Sequence, residues 1–222
     1  MYLCIIKINK NQKTKKNMKI SLIKTRGQKE VITRYSLEEV AYAIQNGWRQ
    51  RNVTYLREVY HLMNKERQPD GQIQTDWQGG IKLERICFAQ ELDRYRNERR
   101  ILGYNGLVVV EVNNLPTYEK AVEVRDAAKK MPETLMCFLG ASGKSVKIVC
   151  RGELFGGGLP QTEEEIRQFH LNLYQTARRA YVNQFGFEIA YLEPRLDRTV
   201  YVSADPEMRF NLNARPFYAD TK

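Results

Sequence analysis

Two strongly apolar segments are joined by a very short polar link in the middle of the chain. TLMCFLG (134–140) and SVKIVCR (145–151) flank the four residues ASGK (141–144). Both segments are rich in apolar residues and the link contains a glycine, a combination that predicts a β-hairpin. The fold must therefore contain two adjacent antiparallel strands at this point, and the remaining elements must be arranged around them.

The letters GASGKS at this link also resemble the end of a phosphate-binding loop. The full pattern requires a glycine, four further residues, Gly-Lys-Ser/Thr and then a helix. The first glycine would stand where the chain has Phe138, and the residues after Lys144 continue as a strand. Without a helix N-terminus, the free N–H groups and the dipole that hold phosphates are missing. The segment is therefore not predicted to be an ATPase P-loop.

The elements predicted around the hairpin alternate in type. The patterns predict strands over 106–112, 187–192 and 198–203, a helix over 118–131 capped by Thr117, and a long helix from a Thr162–Glu165 capping box to about residue 185. The order is the β-α-β-β-α-β of RRM-like or ferredoxin-like folds, with one extra strand. We therefore expect an α+β protein whose helices cover one sheet face and leave the other free for a partner or a site.

The first half of the chain predicts a separate module. Its elements are a hairpin over 19–25 and 29–35, a helix from the Ser36–Glu39 capping box to Gly47, a helix over 53–66, a loop over 68–80 and a short strand over 85–88. We divide the chain into a basic extension (1–17) and a domain (18–222), the latter made of an N-terminal module (18–105) and an RRM-like module (106–222). Met1 and Met18 both remain possible natural starts.

Positive charge is concentrated at the N-terminus. Ten of the 36 Lys and Arg residues, but only one of the 26 Asp and Glu residues, lie in 1–34, so this segment carries nine of the ten net positive charges. Such a segment is either a solvated terminus or an arm that binds a polyanion. The candidate nucleic-acid-binding residues in it are Lys10, Lys13, Lys15, Lys16 and Lys19.

The bulk composition is that of a soluble protein. The chain is 42% hydrophobic and 28% charged, and the apolar start at 3–6 is too short for a signal peptide or a membrane span. Four cysteines lie singly in apolar stretches, which is typical of buried free thiols in a reducing compartment. We expect a cytoplasmic protein with no membrane partner.

Strand alternation places polar residues on one face of the predicted sheet. Val108, Val110 and Val112 form an apolar row that suits the helices, whereas Glu111 lies on the opposite face with Val109 and Asn113. By the same alternation, Lys147 shares a face with Ser145 and Val149. A Glu and a Lys on inner strands of one sheet face predict a functional pair.

Three segments together resemble a known family. GLVVVEVNNL (106–115), FLGASGKSVKI (138–148) and LDRTVYVSADP with NLNARPF (196–217) resemble the landmarks of the primase-like domain called the VirE N-terminal domain. This is a branch of the archaeo-eukaryotic primase–polymerase superfamily found on bacterial mobile elements, and the resemblance covers about 18–217. It implies a primase-type fold whose hairpin contacts a nucleotide, with Lys147 facing the triphosphate. The further nucleotide-binding residues implied are Ser142, Gly143, Lys144 and Arg198.

The chain departs from that family at the catalytic positions. The pattern expects Asp-x-Asp where this chain has Glu111 and Asn113, and an Asp where it has Ala190. Polymerase chemistry uses such carboxylates to hold Mg²⁺ or Mn²⁺, and a neutral amide oxygen is a weaker ligand. Glu111 is the candidate catalytic and metal-binding residue that remains, with Asn113 as its degenerate partner. Glu188, two residues before Ala190, is a weak candidate for a compensating acid.

Three functions follow from these features. The first is a nucleic-acid-binding accessory protein of a mobile element, catalytically weak or inactive, that binds single-stranded DNA or RNA. The second is an active primase or nucleotidyltransferase that uses Glu111 with an unconventional second acid and Mg²⁺ or Mn²⁺. The third is an adaptor for a helicase or mobilisation protein acting in trans, because relatives of the resembled family often carry a helicase-like part.

Overall fold

The computed structural model describes residues 18–26, 29–65, 83–95 and 98–222, and shows a mixed α+β fold. The helices are α1 (Leu37–Gln45), α2 (Gln50–Lys65), α3 (Tyr118–Lys129) and α4 (Glu163–Phe185). The strands are β1 (Lys19–Arg26), β2 (Lys29–Ser36), β3 (Arg85–Cys87), β4 (Gln90–Tyr95), β5 (Glu98–Tyr104), β6 (Leu107–Val112), β7 (Thr134–Leu139), β8 (Val146–Leu154), β9 (Val200–Tyr201), β10 (Arg209–Phe210) and β11 (Phe217–Ala219). The α+β class predicted from the sequence is confirmed.

The predicted hairpin forms the centre of one sheet. β8 pairs antiparallel with β7 on one side and with β6 on the other. β10 extends the sheet beyond β7, and the short β11 runs parallel to the end of β8. α3 and α4 pack on one face of this sheet over the row Val108, Val110 and Val112, as the alternation predicted. The strand that follows Lys144 also confirms that no P-loop helix is present there.

A second sheet covers the opposite face, so the prediction that this face is free is wrong. β2, β1, β3 and β9 form that sheet, and its apolar residues pack with α1 against Met136, Phe138 and Val149 of the central hairpin. Burying this second apolar face is favourable by about 25 cal/mol per Å² of apolar surface removed from water. Glu111 of β6 and Lys147 of β8 are polar residues that are buried on these strands.

Local capping signals were predicted correctly. Capping boxes are formed by Ser36 with Glu39 at α1 and by Thr162 with Glu165 at α4, and Thr117 caps α3. Gly186 ends α4 in the left-handed conformation, with φ of 70°. These side chains satisfy backbone N–H groups that a helix terminus otherwise leaves without partners.

The strand predicted over 187–192 is wrong, because this segment has no strand pairing. Side chains of α4 satisfy its backbone groups instead. Arg178 donates from Nε to the carbonyl of Ile189 at 2.8 Å, and the Leu192 N–H donates to the Tyr174 hydroxyl at 3.0 Å. Ile189 is 1% exposed and anchors the segment in the helix-side core. The predicted closing strand of the β-α-β-β-α-β order is therefore absent.

Two further segments differ from the sequence-based expectation. The strand predicted over 198–203 is reduced to β9, which pairs with β3 of the second sheet. The charge-dense segment 91–101, for which no strand was expected, forms most of the antiparallel pair β4–β5.

Cys87, Cys137 and Cys150 are buried free thiols, as predicted, while Cys4 lies outside the described residues. No helix in the described part of the chain is long and apolar enough to cross a bilayer.

A buried carboxylate, Glu84, connects the second sheet to helix α2 in the N-terminal half. Glu84 precedes β3, and its side chain is 4% exposed. It accepts hydrogen bonds from Arg49, at the start of α2, and from Lys24 of β1, at 2.7 and 3.1 Å. The hydrogen bond from Arg49, aided by Lys24, lowers the pKa of Glu84 from 4.5 to about 2. The charged form of Glu84 is therefore the form that stabilises the fold.

Glu84→Gln should make the free energy of unfolding less dependent on pH between about pH 5 and pH 2. A carboxyl group with a depressed folded-state pKa contributes its full stabilisation above its unfolded pKa of 4.5 and loses it as the pH falls toward 2. Because Lys24 and Arg49 reach solvent, screening reduces the effect, and we expect a loss on the order of 1–2 kcal/mol at pH 7. Urea unfolding at pH 7, 5 and 3 measures it. An unchanged difference between wild type and variant at every pH would contradict the prediction.

Candidate functional site

The pairing of β6 with β8 places Glu111 directly opposite Lys147. The Lys147 ammonium donates to Glu111 Oε2 at 2.5 Å and to Asn113 Oδ1 at 2.7 Å. Glu111 belongs to an ordinary strand, and the alternation that turns Val110 and Val112 to the helices turns Glu111 to the other face. Glu111 and Lys147, which strand alternation predicted to form a pair, are therefore in direct contact.

A second cation completes this group. Arg198 lies in the segment between α4 and β9, and its Nε donates to Glu111 Oε1 at 2.8 Å. Both carboxylate oxygens of Glu111 are therefore occupied by cationic donors. We call Glu111, Asn113, Lys147 and Arg198 the carboxylate cluster, and it unites four of the residues that the sequence marked for function. It contains one negative and two positive charges.

Burial controls the electrostatics of the carboxylate cluster. The side chains of Glu111 and Lys147 are 8% and 11% exposed, and that of Arg198 is 32% exposed. Burial alone would raise the pKa of Glu111, but Lys147 and Arg198 outweigh it and hold that pKa below its usual value. Glu111 is therefore an anion at neutral pH. Its charge is neutralised inside the protein, not offered to solvent.

The turn of the hairpin lies beside the carboxylate cluster. Gly143 has φ of 72°, and the Gly140 N–H donates to the Ser145 carbonyl at 2.8 Å to close the turn. A Cβ on Gly140 would stand 2.1 Å from Ser145 Oγ and 3.2 Å from Lys147 Cε. Gly140 thus lets the backbone pass close to the Lys147 side chain. Ser142 and Lys144 are half-buried at the tip, where the Lys144 N–H donates to Ser142 Oγ at 3.3 Å.

The position of the turn depends on residues that the sequence did not single out for function. Asp205 is 3% exposed, and it accepts from Arg125 at 2.7 Å and from the Leu139 N–H at 2.9 Å. Ser203 donates to the Leu139 carbonyl at 2.6 Å. The Ser-Ala-Asp-Pro segment was noticed only as part of a family pattern, and its role is to hold the end of β7 where the turn begins.

Other predicted site residues lie apart from the carboxylate cluster. Glu188 is 81% exposed and pairs with Arg178 at 3.0 Å. Glu188 was a candidate because a strand would have placed it on the same face as Ala190. The segment is not a strand, so Glu188 cannot replace the missing acid in that way. Lys19 is half-buried in β1, opposite Ser36. Lys10, Lys13, Lys15 and Lys16 lie outside the described residues.

The carboxylate cluster does not fit a divalent metal. Mg²⁺ and Mn²⁺ prefer several charged oxygen ligands, and here a single carboxylate has both oxygens bonded to cations. In the described part of the chain, no group of three or more His, Cys, Asp or Glu residues is arranged to hold a metal ion. No metal-dependent step is therefore derived from these residues.

A small cavity lies next to Arg198. Its lining includes Phe88, His170, Tyr174 and Pro194, and its volume is about 20 Å³. That is room for about one water molecule and far too little for a nucleotide. This cavity is therefore not a nucleotide-binding site.

Comparison with known families gives one match. The family model described as BT4734-like, N-terminal domain matches residues 78–210, more than half of the chain. Searches of curated proteins and of solved structures found no match. The matched range contains the whole carboxylate cluster and the hairpin. The chain belongs to the BT4734-like N-terminal domain family.

Proposed function

We propose that this protein binds single-stranded nucleic acid through a primase-like fold whose metal centre has been replaced by an ion-paired cluster. The observation that carries the proposal is the contact of both Glu111 oxygens with Lys147 and Arg198. The resemblance to primase-like domains of mobile elements supports an accessory role in the replication or transfer of such an element.

The charges of the carboxylate cluster argue against nucleotidyl transfer. A two-metal mechanism requires carboxylates that share the positive charge of the ions and hold them near the reacting oxygens. Lys147 and Arg198 already neutralise Glu111, so a divalent ion would have to displace two buried or half-buried cations. Compared with the primase-like pattern, this chain keeps Lys147 and Arg198 but lacks two of the carboxylates. Such a site favours attraction of phosphate groups without their transfer.

Primer synthesis should be undetectable or very weak. The assay is incorporation of labelled nucleotides on a single-stranded template with Mg²⁺ or Mn²⁺, run beside binding of a fluorescent single-stranded oligonucleotide. We expect binding without synthesis. Robust synthesis that disappears in Glu111→Ala would overturn the proposal in favour of an active primase. Robust synthesis that disappears in Glu188→Ala would identify the displaced carboxylate as the second acid.

Glu111→Gln separates these two functions further. In a metal-dependent enzyme, the substitution removes an ion ligand and weakens nucleotide binding. In the proposed binding protein, it frees Lys147 and Arg198 from their carboxylate partner, so the affinity for an oligonucleotide or a nucleotide should rise. Tighter binding with a salt dependence steeper by up to about 0.7 per released charge is the expected result.

An adaptor function has one supporting observation. Ile101 and Leu102 of β5 are 63% and 46% exposed, although both are large apolar residues. β5 pairs only with β4 among the described residues. Neighbouring exposed apolar residues on a two-stranded pair suit contact with another protein, such as the helicase or mobilisation protein implied by the resemblance. Loss of a partner in Ile101→Ser with Leu102→Ser, at unchanged oligonucleotide affinity, would favour this function.

A further inference from the structure

An arginine of the N-terminal half reaches the turn of the hairpin. Arg57 lies on α2, and its Nη2 donates to the carbonyl of Ala204 at 2.9 Å. The same nitrogen lies 3.4 Å from the Gly140 carbonyl and 3.5 Å from Ser203 Oγ. The guanidinium is thereby fixed at the base of the turn, beside Gly140.

The charge of Arg57 has no acidic partner within the described residues, since its contacts are two carbonyls and a hydroxyl. Its Nε is buried and makes no hydrogen bond. Arg125, by contrast, pairs with Asp205 and Glu207. Burial lowers the pKa of Arg57, and the attraction of Asp205, which forms no ion pair with it, opposes this only in part. A partly buried cation without an anion in contact is costly.

Two other arginines with a buried, unbonded Nε have compensation that Arg57 lacks. Arg151 Nε lies 3.8 Å from a Glu153 oxygen. Arg209 donates to the carbonyl of Lys129, at the last residue of α3, where the helix dipole is negative. Arg57 has neither an ion pair with a described residue nor a helix C-terminus as the acceptor of its hydrogen bonds, so an external anion would be favourable beside it.

A second cation and an aromatic ring border the same place. Lys144, at the tip of the turn, is half-buried and forms no ion pair with a described residue. The Tyr118 ring is 45% exposed, and its centroid lies 5.9 Å from the Arg57 guanidinium carbon. A Cβ on Gly143 would stand 3.2 Å from Tyr118 Cδ2 and 3.3 Å from Arg57 Cγ. The turn, the guanidinium and the ring therefore form one continuous surface.

This combination matches the chemistry of a nucleotide. A guanidinium attracts a phosphate group by its charge and can donate a hydrogen bond to it, and a neighbouring ammonium adds charge. An exposed tyrosine ring offers a face on which a base of any identity can stack. Gly140 links this surface to the carboxylate cluster, since its carbonyl meets Arg57 while its Cα lies near Lys147.

We propose that Arg57 and Lys144 bind one phosphate group of a nucleotide unit and that Tyr118 stacks on its base. The choice of a nucleotide rests on the proposed function. The phosphate site itself rests on the charge of Arg57, which forms no ion pair with a described residue. A nucleotide within a single strand and a free nucleoside triphosphate share this chemistry, and both are tested.

The central experiment compares Arg57→Gln with Arg51→Gln. Glutamine at 57 removes the charge and keeps a polar side chain, although it is too short to reach both the Gly140 and Ala204 carbonyls. Arg51 is exposed on the same helix, so it provides the matched change of charge away from the turn. Binding of a short fluorescent oligothymidylate, of thymidine triphosphate and of inorganic tripolyphosphate is measured across salt, with thermal unfolding as a check on folding.

Arg57→Gln should weaken binding of a phosphate probe about 10- to 100-fold, and Arg51→Gln by about twofold or less. Loss for the oligothymidylate alone would identify strand phosphate as the source, and loss for the triphosphate alone would identify free nucleotide. Tyr118→Leu should weaken the probes that carry a base about tenfold and leave tripolyphosphate unchanged. Lys144→Gln gives the same test at the turn if Arg57→Gln unfolds.

The two proposals fail differently. If wild type binds the oligothymidylate and both Arg57→Gln and Lys144→Gln bind like wild type, the phosphate site is wrong and the proposed function stands. If wild type binds none of the three probes, both are overturned. Equal weakening by Arg51→Gln and Arg57→Gln would show only a diffuse effect of charge and would also overturn the site.

Discussion

Glu111→Gln should lower the free energy of unfolding by about 3–5 kcal/mol, the usual cost of removing one member of a buried ion pair. The substitution leaves the Lys147 ammonium, 11% exposed, beside Arg198 with no carboxylate between them. Two cations then repel each other in a site where water cannot solvate them fully. Chemical denaturation at neutral pH measures the change, because it reports the whole cooperative transition.

A matched surface substitution and a double variant test the cause. Glu188→Gln makes the same chemical change at an 81% exposed carboxylate and should alter stability by about 0.5 kcal/mol or less. Glu111→Gln combined with Lys147→Met removes the unpaired buried charge, so the double variant should recover part of the loss. If the loss in the double variant equals the sum of the two single losses, Glu111 and Lys147 are not coupled and this reading of the cluster is wrong.

Removing residues 1–17 should flatten the salt dependence of nucleic-acid binding by about two to three units. Each phosphate neutralised on a single strand contributes about 0.7 to the slope of log affinity against log salt. The truncation deletes four of the candidate lysines, at 10, 13, 15 and 16, and no acidic residue. Over a fourfold rise in salt, wild type should therefore lose about 15- to 60-fold more affinity than the truncated protein.

A full-length variant separates charge from length. Replacing Lys10, Lys13, Lys15 and Lys16 by Gln keeps the segment and removes its charge, so it should reproduce the truncation. Lys144→Gln should change the slope by one unit or less, about one phosphate contact. An unchanged slope in both the truncation and the four-Gln variant would mean that the basic segment is only solvated. The adaptor function would then be favoured over nucleic-acid binding.

Local features of the sequence predicted local features of the fold well. The hairpin around Gly143, the capping boxes at Ser36 and Thr162, and the helix end at Gly186 depend on contacts within a few residues. Such signals are readable from a single chain because the competing conformations differ mainly in local hydrogen bonding and backbone sterics. Strand alternation also predicted one contact between distant residues, the pairing of Glu111 with Lys147.

Segments whose structure depends on distant partners were predicted poorly. Residues 187–192 have the composition of a strand, but Arg178 and Tyr174 on α4 satisfy their backbone groups, so no neighbouring strand is required. The opposite error was made at β4 and β5, where a charge-dense sequence forms a hairpin. Glu91 of β4 pairs with Arg34 of β2, and Arg99 of β5 pairs with Glu30, which lie far apart in the sequence.

The sequence alone determined which residues carry the chemistry of the candidate site: one carboxylate, a lysine opposite it and a glycine-containing turn. Only the tertiary structure decided what those residues do to one another. The second sheet buries the face that was expected to be open, and Arg198 arrives from a segment 87 residues away to occupy Glu111. Arg57 reaches the turn from α2 without an ion-pair partner among the described residues. Whether a charge is neutralised depends on its distance from other charges and on its burial. For residues that are far apart in the sequence, both quantities are known only once the chain has folded.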